Sequence, residues 1–220
     1  FECPPGSTPD TPGPVDQARP AEPRTVAFDR RAGRLVALAR SDWNEYIVET
    51  WTFDVCTNTW TRMHPNQEPP GPWPPGVPVG QLVYDVDSDV TILVASGKVW
   101  VYALQANTWT EQGVAPTGAT LCAFDPLSGR VVGASDADPT ELWNYDVETD
   151  TWAPIRQTNR LGSLGYGAYA YDASADRIIG FTRGVPDETW LLDIRTGTWS
   201  SGAEPPDLRF PDLLPGLSQH

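Results

Sequence analysis

The chain has 220 residues, 40% of them hydrophobic and ten of them Trp, which is enough apolar surface for a packed domain and excludes wholesale disorder. Its formal net charge of −14 sets up a field that repels phosphates, which argues against nucleic acid and anionic membrane as partners. No apolar run approaches the roughly 18 residues that a membrane-crossing helix needs, so no membrane insertion is expected.

In chain order, residues 1–23 come first and carry seven Pro, which reads as an extended arm or linker. Met63 is the only Met, so the expectation is a chain that begins after a processing cut or inside a longer polypeptide. Beyond the arm, one pattern returns four times at a period of roughly 40 to 50 residues, the signature of a repeat architecture. Each copy opens with an aromatic-Asp pair and an aliphatic run: VAFDRRAGRLVAL, LVYDVDSDVTILV, CAFDPLSGRVVG and YAYDASADRIIGF. Each then closes with a Trp-rich pair of runs: ETWTFDVCTNTW, KVWVYALQANTW, ELWNYDVETDTW and ETWLLDIRTGTW. β-branched and aromatic residues between short turn clusters predict strands, four to a copy.

The turns carry the physical signature. Asp29, Asp85, Asp125 and Asp172 start the first hairpin of each copy, where a carboxylate accepts from N–H groups two residues on. Gly33, Asp89, Gly129 and Asp176 fall where that hairpin needs a left-handed residue. Asn58, Asn107, Asp150 and Gly197 do the same in the second hairpin. Eight Trp occupy two columns, Trp51, Trp100, Trp143 and Trp190, then Trp60, Trp109, Trp152 and Trp199, and are assigned to packing between units.

These motifs resemble Kelch repeats in the bacterial form likened to the propeller of galactose oxidase. The resemblance covers about residues 24–203 and implies an all-β fold, a β-propeller with four Kelch-type four-stranded blades at about 24–63, 79–112, 119–155 and 167–202. The usual Gly-Gly after the second strand is replaced by Leu38-Ala39, Ala95-Ser96, Ala134-Ser135 and Phe181-Thr182, which marks a divergent member. Family rings usually hold more blades, so closure by another chain or by missing blades is a further expectation. Residues 204–220 read as an irregular tail, with Asp207 to Phe210 as one edge strand.

In such a blade the hairpins described above share one face, and they are short in every copy. The connections on the opposite face vary in length and composition, so the candidate binding surface is placed there. Its candidate contacts are Arg40, Trp43, Tyr46, His64, Trp73, Arg156, Arg160 and Arg183. Exposed aromatic rings and guanidinium forks suit a protein surface or an anionic glycan. Function is accordingly read as binding of a protein or glycan. The alternatives are a glycan-active enzyme using Asp42, Glu45, Asp136, Asp138, Asp187 or Glu188, and a structural subunit in a homo-oligomer or a ring closed by a partner chain. The chemistry leans away from an enzyme, and no catalytic residue is assigned.

No cofactor or metal is expected. His64 and His220 are the only imidazoles, too few for the radical-copper site of galactose oxidase. Asp85-x-Asp87-x-Asp89 mimics the start of a calcium loop, but alignment commits Asp85 and Asp89 to the turn. Cys122 falls in a column with Val26, Leu82 and Tyr169 and is expected to be buried. Cys56 falls in a polar column and is expected to be accessible, leaving Cys3–Cys56 as the disulfide and an extracellular or cell-surface location as its implication.

Overall fold

A computed structural model describes residues 2–7, 18–20, 22–40, 48–70, 80–135, 138, 141–159, 167–182 and 188–203. Sixteen strands form four antiparallel sheets of four, arranged as a four-blade β-propeller, with no helix among the described residues. Blade 1 comprises β1 (Glu22–Asp29), β2 (Arg34–Arg40), β3 (Val48–Asp54) and β4 (Thr59–Arg62). Blade 2 comprises β5 (Val83–Asp85), β6 (Val90–Ala95), β7 (Lys98–Ala103) and β8 (Thr108–Val114). Blade 3 comprises β9 (Ala119–Asp125), β10 (Arg130–Ser135), β11 (Leu142–Asp146) and β12 (Thr151–Pro154). Blade 4 comprises β13 (Gly167–Asp172), β14 (Arg177–Thr182), β15 (Glu188–Asp193) and β16 (Thr198–Ser201). The edge strand expected at Asp207 to Phe210 lies outside the described residues.

The turns form as their residue types dictate. Asp29 Oδ1 accepts from the N–H of Arg31 (2.9 Å) and Ala32 (2.8 Å), and Asp85 Oδ1 from those of Asp87 (2.9 Å) and Ser88 (3.2 Å). Asp125 takes the Leu127 N–H (3.0 Å) and Asp172 the Ser174 N–H (2.9 Å). In the outer hairpins Asp54 and Asp146 repeat the arrangement. All eight left-handed positions have φ between 50° and 64°.

A second regularity couples each turn to the residue five places before it. Where that residue is Tyr, the left-handed residue is Asp or Asn and accepts its phenol: Tyr84–Asp89 (2.7 Å), Tyr102–Asn107 (2.8 Å), Tyr145–Asp150 (2.9 Å) and Tyr171–Asp176 (2.8 Å). Where it is Phe28, Phe124 or Leu192, with no hydroxyl to satisfy, the left-handed residue is Gly33, Gly129 or Gly197. Phe53 with Asn58 is the one pair outside this rule. A phenol on a buried or half-buried ring needs an acceptor, so the side chain that tolerates the backbone also supplies it.

Three apolar clusters fill the seams between blades 1 and 2, 2 and 3, and 3 and 4. The Trp columns do pack there: Trp100, Trp109 and Trp199 are buried, and Trp152 and Trp190 are half-buried against the same clusters. Trp51 and Trp60 instead cover Ala37 and Ala39 on blade 1 itself. The inner strands beside the remaining seam, between blades 4 and 1, are the least sealed. Val26 is 48% exposed there, against 2%, 1% and 8% for its equivalents Leu82, Cys122 and Tyr169.

Cys3 and Cys56 form a disulfide with Cα atoms 5.4 Å apart. Cys56 is buried rather than accessible, because the bonded arm lies over the position where the other blades expose a polar side chain. Cys122 is a free, buried thiol. The bridge closes a 53-residue separation, and confining so long a loop in the unfolded chain contributes about 2 to 4 kcal/mol. The pair Cys3→Ser and Cys56→Ser is therefore expected to lower the unfolding free energy by about that amount in denaturant titrations. Reductant is expected to destabilise the native protein but not the double variant.

Candidate functional site

The inner strands β1, β5, β9 and β13 surround the central channel, and a cavity of about 310 Å³ occupies it. Besides Tyr169 of blade 4, one aromatic residue at the same place in each blade lines it: Phe28, Tyr84, Phe124 and Tyr171. They are the aromatic members of the four aromatic-Asp pairs, so the repeat that builds the turns also builds this collar. Beyond them Arg30, Val86, Pro126 and Ala173 line the end formed by the first hairpins, again one per blade. Leu127, next to Pro126, is 69% exposed.

Toward the other end stands Gln81. Its Nε2 donates to the carbonyl oxygens of Cys122 and Tyr169, both at 2.9 Å, so one side chain of blade 2 bonds blades 3 and 4. The next residue, Leu82, donates its N–H to Thr25 Oγ1 of blade 1 at 2.8 Å. Two consecutive residues thus join all four blades. The equivalents of Gln81 are Thr25, Leu121 and Ala168, so a lone amide in its column was the available sequence signal.

The hairpin end of the channel is electronegative. Asp29, Asp85 and Asp125 are buried at its turn starts, with Asp172 in the fourth blade. Burial pushes the Tyr84 phenol well up, and its acceptor Asp89 and the nearby Asp29 carboxylate push it further. The Tyr171 hydroxyl is pushed up to about 12 by desolvation, then by Asp176, with Asp125 adding to it. Arg31 lies over the neighbouring turn, 3.7 Å from Asp89 and 3.4 Å from the Asp87 carbonyl. Asp85 and Asp89 are thereby committed to turn N–H groups and to a phenol, as the alignment of the copies implied.

A second polar cluster joins blade 1 to the connection that follows it. Glu68 accepts from the Thr50 N–H (3.0 Å) and the Thr50 hydroxyl (2.5 Å), while Thr50 Oγ1 accepts the indole N–H of Trp109 at 2.8 Å. Glu49 beside it takes Arg62 (2.8 Å) and the Trp51 indole N–H (2.9 Å). Asn66 forms a two-way bond with the main chain of Trp109. Asn159 does the same to Trp199 two blades later. These carboxylates and amides hold connections to blades, and all four oxygens of the Glu49–Glu68 pair are engaged. Sequence reasoning did not find the pair, because Glu68 reaches Thr50 only once the connection has folded back.

Of the residues singled out from sequence, His64 and Arg156 are described in full. Both are exposed and sit at matching places in the two long connections. His64 has φ 49°, and its carbonyl, with that of Met63, faces the Asn107 amide of the β7–β8 turn. The Arg156 carbonyl lies against Gly197 of the β15–β16 turn, where an added Cβ would come within 2.0 Å of it. Neither lines the channel cavity. Arg40 ends β2, opposite Val48. Trp43, Tyr46, Trp73, Arg160 and Arg183 lie outside the described residues, as do Asp42, Glu45, Asp136 and Asp187. Asp138 and Glu188 are exposed.

Two variants test these roles. Gln81→Ala leaves two inner-strand carbonyls without their donor, an expected loss of about 2 kcal/mol, read as a fall in Tm of roughly 4 to 8 °C. Burial raises the Glu68 carboxyl above its ordinary 4.5, an effect that the Thr50 bonds only partly offset. A raised folded-state value means that the stabilisation is full below the unfolded value and is lost as pH rises through the folded one. Glu68→Gln keeps an acceptor for Thr50, so its stability is expected to change less than that of the native protein as pH rises above 4.5 in denaturant titrations.

No protein-family model matches the sequence, and no curated protein matches it. Solved structures do. A chain of a nidogen/laminin complex superposes with a TM-score of 0.58 at 12% identity, over 80% of this chain and 62% of that one. A Bacteroides thetaiotaomicron protein of unknown function gives 0.58 at 15% identity, over 86% and 45% of the two chains. An auxiliary nutrient binding protein from the same organism gives 0.56 at 12% identity, over 86% and 44%. This chain spans less than two thirds of the length of each, and the likeness is one of propeller fold.

Proposed function

We propose that this chain is a binding propeller, of a divergent Kelch type, that recognises a protein partner at the hairpin end of its channel. The observation that carries this reading is the aromatic-lined cavity opening beside Leu127, an apolar side chain left 69% exposed on a tight turn. A concave apolar site next to a protruding hydrophobic residue is a form that protein contact surfaces take. The fold-level likeness to a chain of a nidogen/laminin complex and to a nutrient binding protein is in keeping with a binding role. The varied connections at the other end of the channel, the surface that loop length and composition favour, largely lie outside the described residues. The Cys3–Cys56 bridge favours an oxidising, extracytoplasmic setting.

A photo-reactive amino acid at position 127 is expected to capture a partner polypeptide from the extracytoplasmic fraction of the source cells. In calorimetric titration the purified partner is expected to bind the native protein at least about tenfold more tightly than Leu127→Asp, the scale of an interface anchor. Equal affinities overturn the assignment of the surface. Retention of glycans on an array with no polypeptide captured replaces the protein partner with a sugar. A complex containing only copies of this chain replaces it with a homo-oligomer.

A further inference from the structure

Resting on that reading, we infer that the channel cavity receives a cationic group, the ammonium or guanidinium head of a partner's Lys or Arg side chain. The cavity combines the two features that recognise such a head. The first is its lining: Phe28, Tyr84, Phe124 and Tyr171 come from four blades, and aromatic faces carry negative charge density that attracts cations. Two of the four are tyrosines whose hydroxyls are already bonded to Asp89 and Asp176, so their rings remain as the available recognition surface.

The second feature is charge. A turn-start carboxylate follows each of the four aromatics in sequence, at Asp29, Asp85, Asp125 and Asp172, and three of these are buried. Arg30 is the one cation among the four residues that line the outer end of the cavity. Arg31 and Arg195 at the same end are paired with Asp89 and Asp176, so the Arg30 charge stands against the four turn carboxylates in a protein of net charge −14. The field at low dielectric therefore favours a positive guest over a neutral or anionic one. Desolvation and the bonded Asp89 and Asp176 are the larger causes that raise the Tyr84 and Tyr171 phenols, and Asp29 and Asp125 add to them in the same direction. At about 310 Å³ the space is at the small end of ligand sites, which run from roughly 300 to 1,000 Å³, and matches one side chain rather than an extended ligand.

The test uses tetramethylammonium as the probe and neopentyl alcohol, nearly the same shape without charge, as its control. Each is titrated into protein with ¹³C-labelled Phe and Tyr rings against an equal concentration of sodium chloride. Saturable shifts of the Tyr84, Phe124 and Tyr171 ring signals are expected with tetramethylammonium, at an affinity about tenfold or more above that of the alcohol. Arg30→Gln is expected to tighten binding. Ala173→Trp, at an exposed position on the lining, is expected to abolish it without disturbing the core. Equal affinity for the alcohol, no shift beyond that of sodium chloride, or undiminished binding by Ala173→Trp overturns the inference. If the probe fails while partner binding still depends on Leu127, only the cationic guest is lost. If the probe binds but position 127 captures nothing, the cavity assignment stands and the protein-partner reading falls.

Discussion

A carboxylate that accepts the bare N–H groups of a tight turn is the interaction on which the rest of this propeller depends. Without it, the first turn of each blade would leave donors unsatisfied next to a packed inner strand. With it, strand ends are fixed to a residue, and the aromatic before each Asp is held at one height around the channel. The four aromatics then form a collar because four turns are alike, not because a ligand site was assembled separately. The phenol-to-Asx bonds extend the constraint, since a residue chosen for its left-handed backbone also satisfies a half-buried hydroxyl.

Much of this was legible in the sequence. Strands, left-handed positions, turn carboxylates and the packing role of most Trp all followed from aligning four copies, since each recurs in a column set by local geometry. Contacts made once were hidden. Gln81 reaches β9 and β13 across the channel, and Glu68 reaches Thr50 after eighteen residues of chain. Neither partner is implied by spacing, although the break in column at Gln81 marked it as unusual. The accessibility expected of Cys56 failed for a related reason, because its surroundings are completed by an arm that belongs to no repeat.

The hairpin end joins the variable connections as a candidate surface for a physical reason. Variation among loops points to where chain length is unconstrained, whereas a cavity needs walls, and here the walls are the regular inner strands. The uniformity that made the hairpin end look purely structural in sequence is what surrounds the channel with four equivalent aromatics and four acids. Regularity and recognition are compatible where symmetry places like groups around a common axis.

The two-way bonds of Asn66 to Trp109 and of Asn159 to Trp199 have a consequence for how the molecule behaves in a crowd. β8 and β16 are outermost strands, whose unpaired main-chain groups would otherwise be templates for another chain's strand. A side-chain amide imitates a neighbouring peptide unit there and ends the ladder with a group that cannot propagate it. Blades 2 and 4 are in this way protected against edge-to-edge aggregation by the connections that precede them, and loss of either asparagine would expose a sticky rim before it loosened the fold.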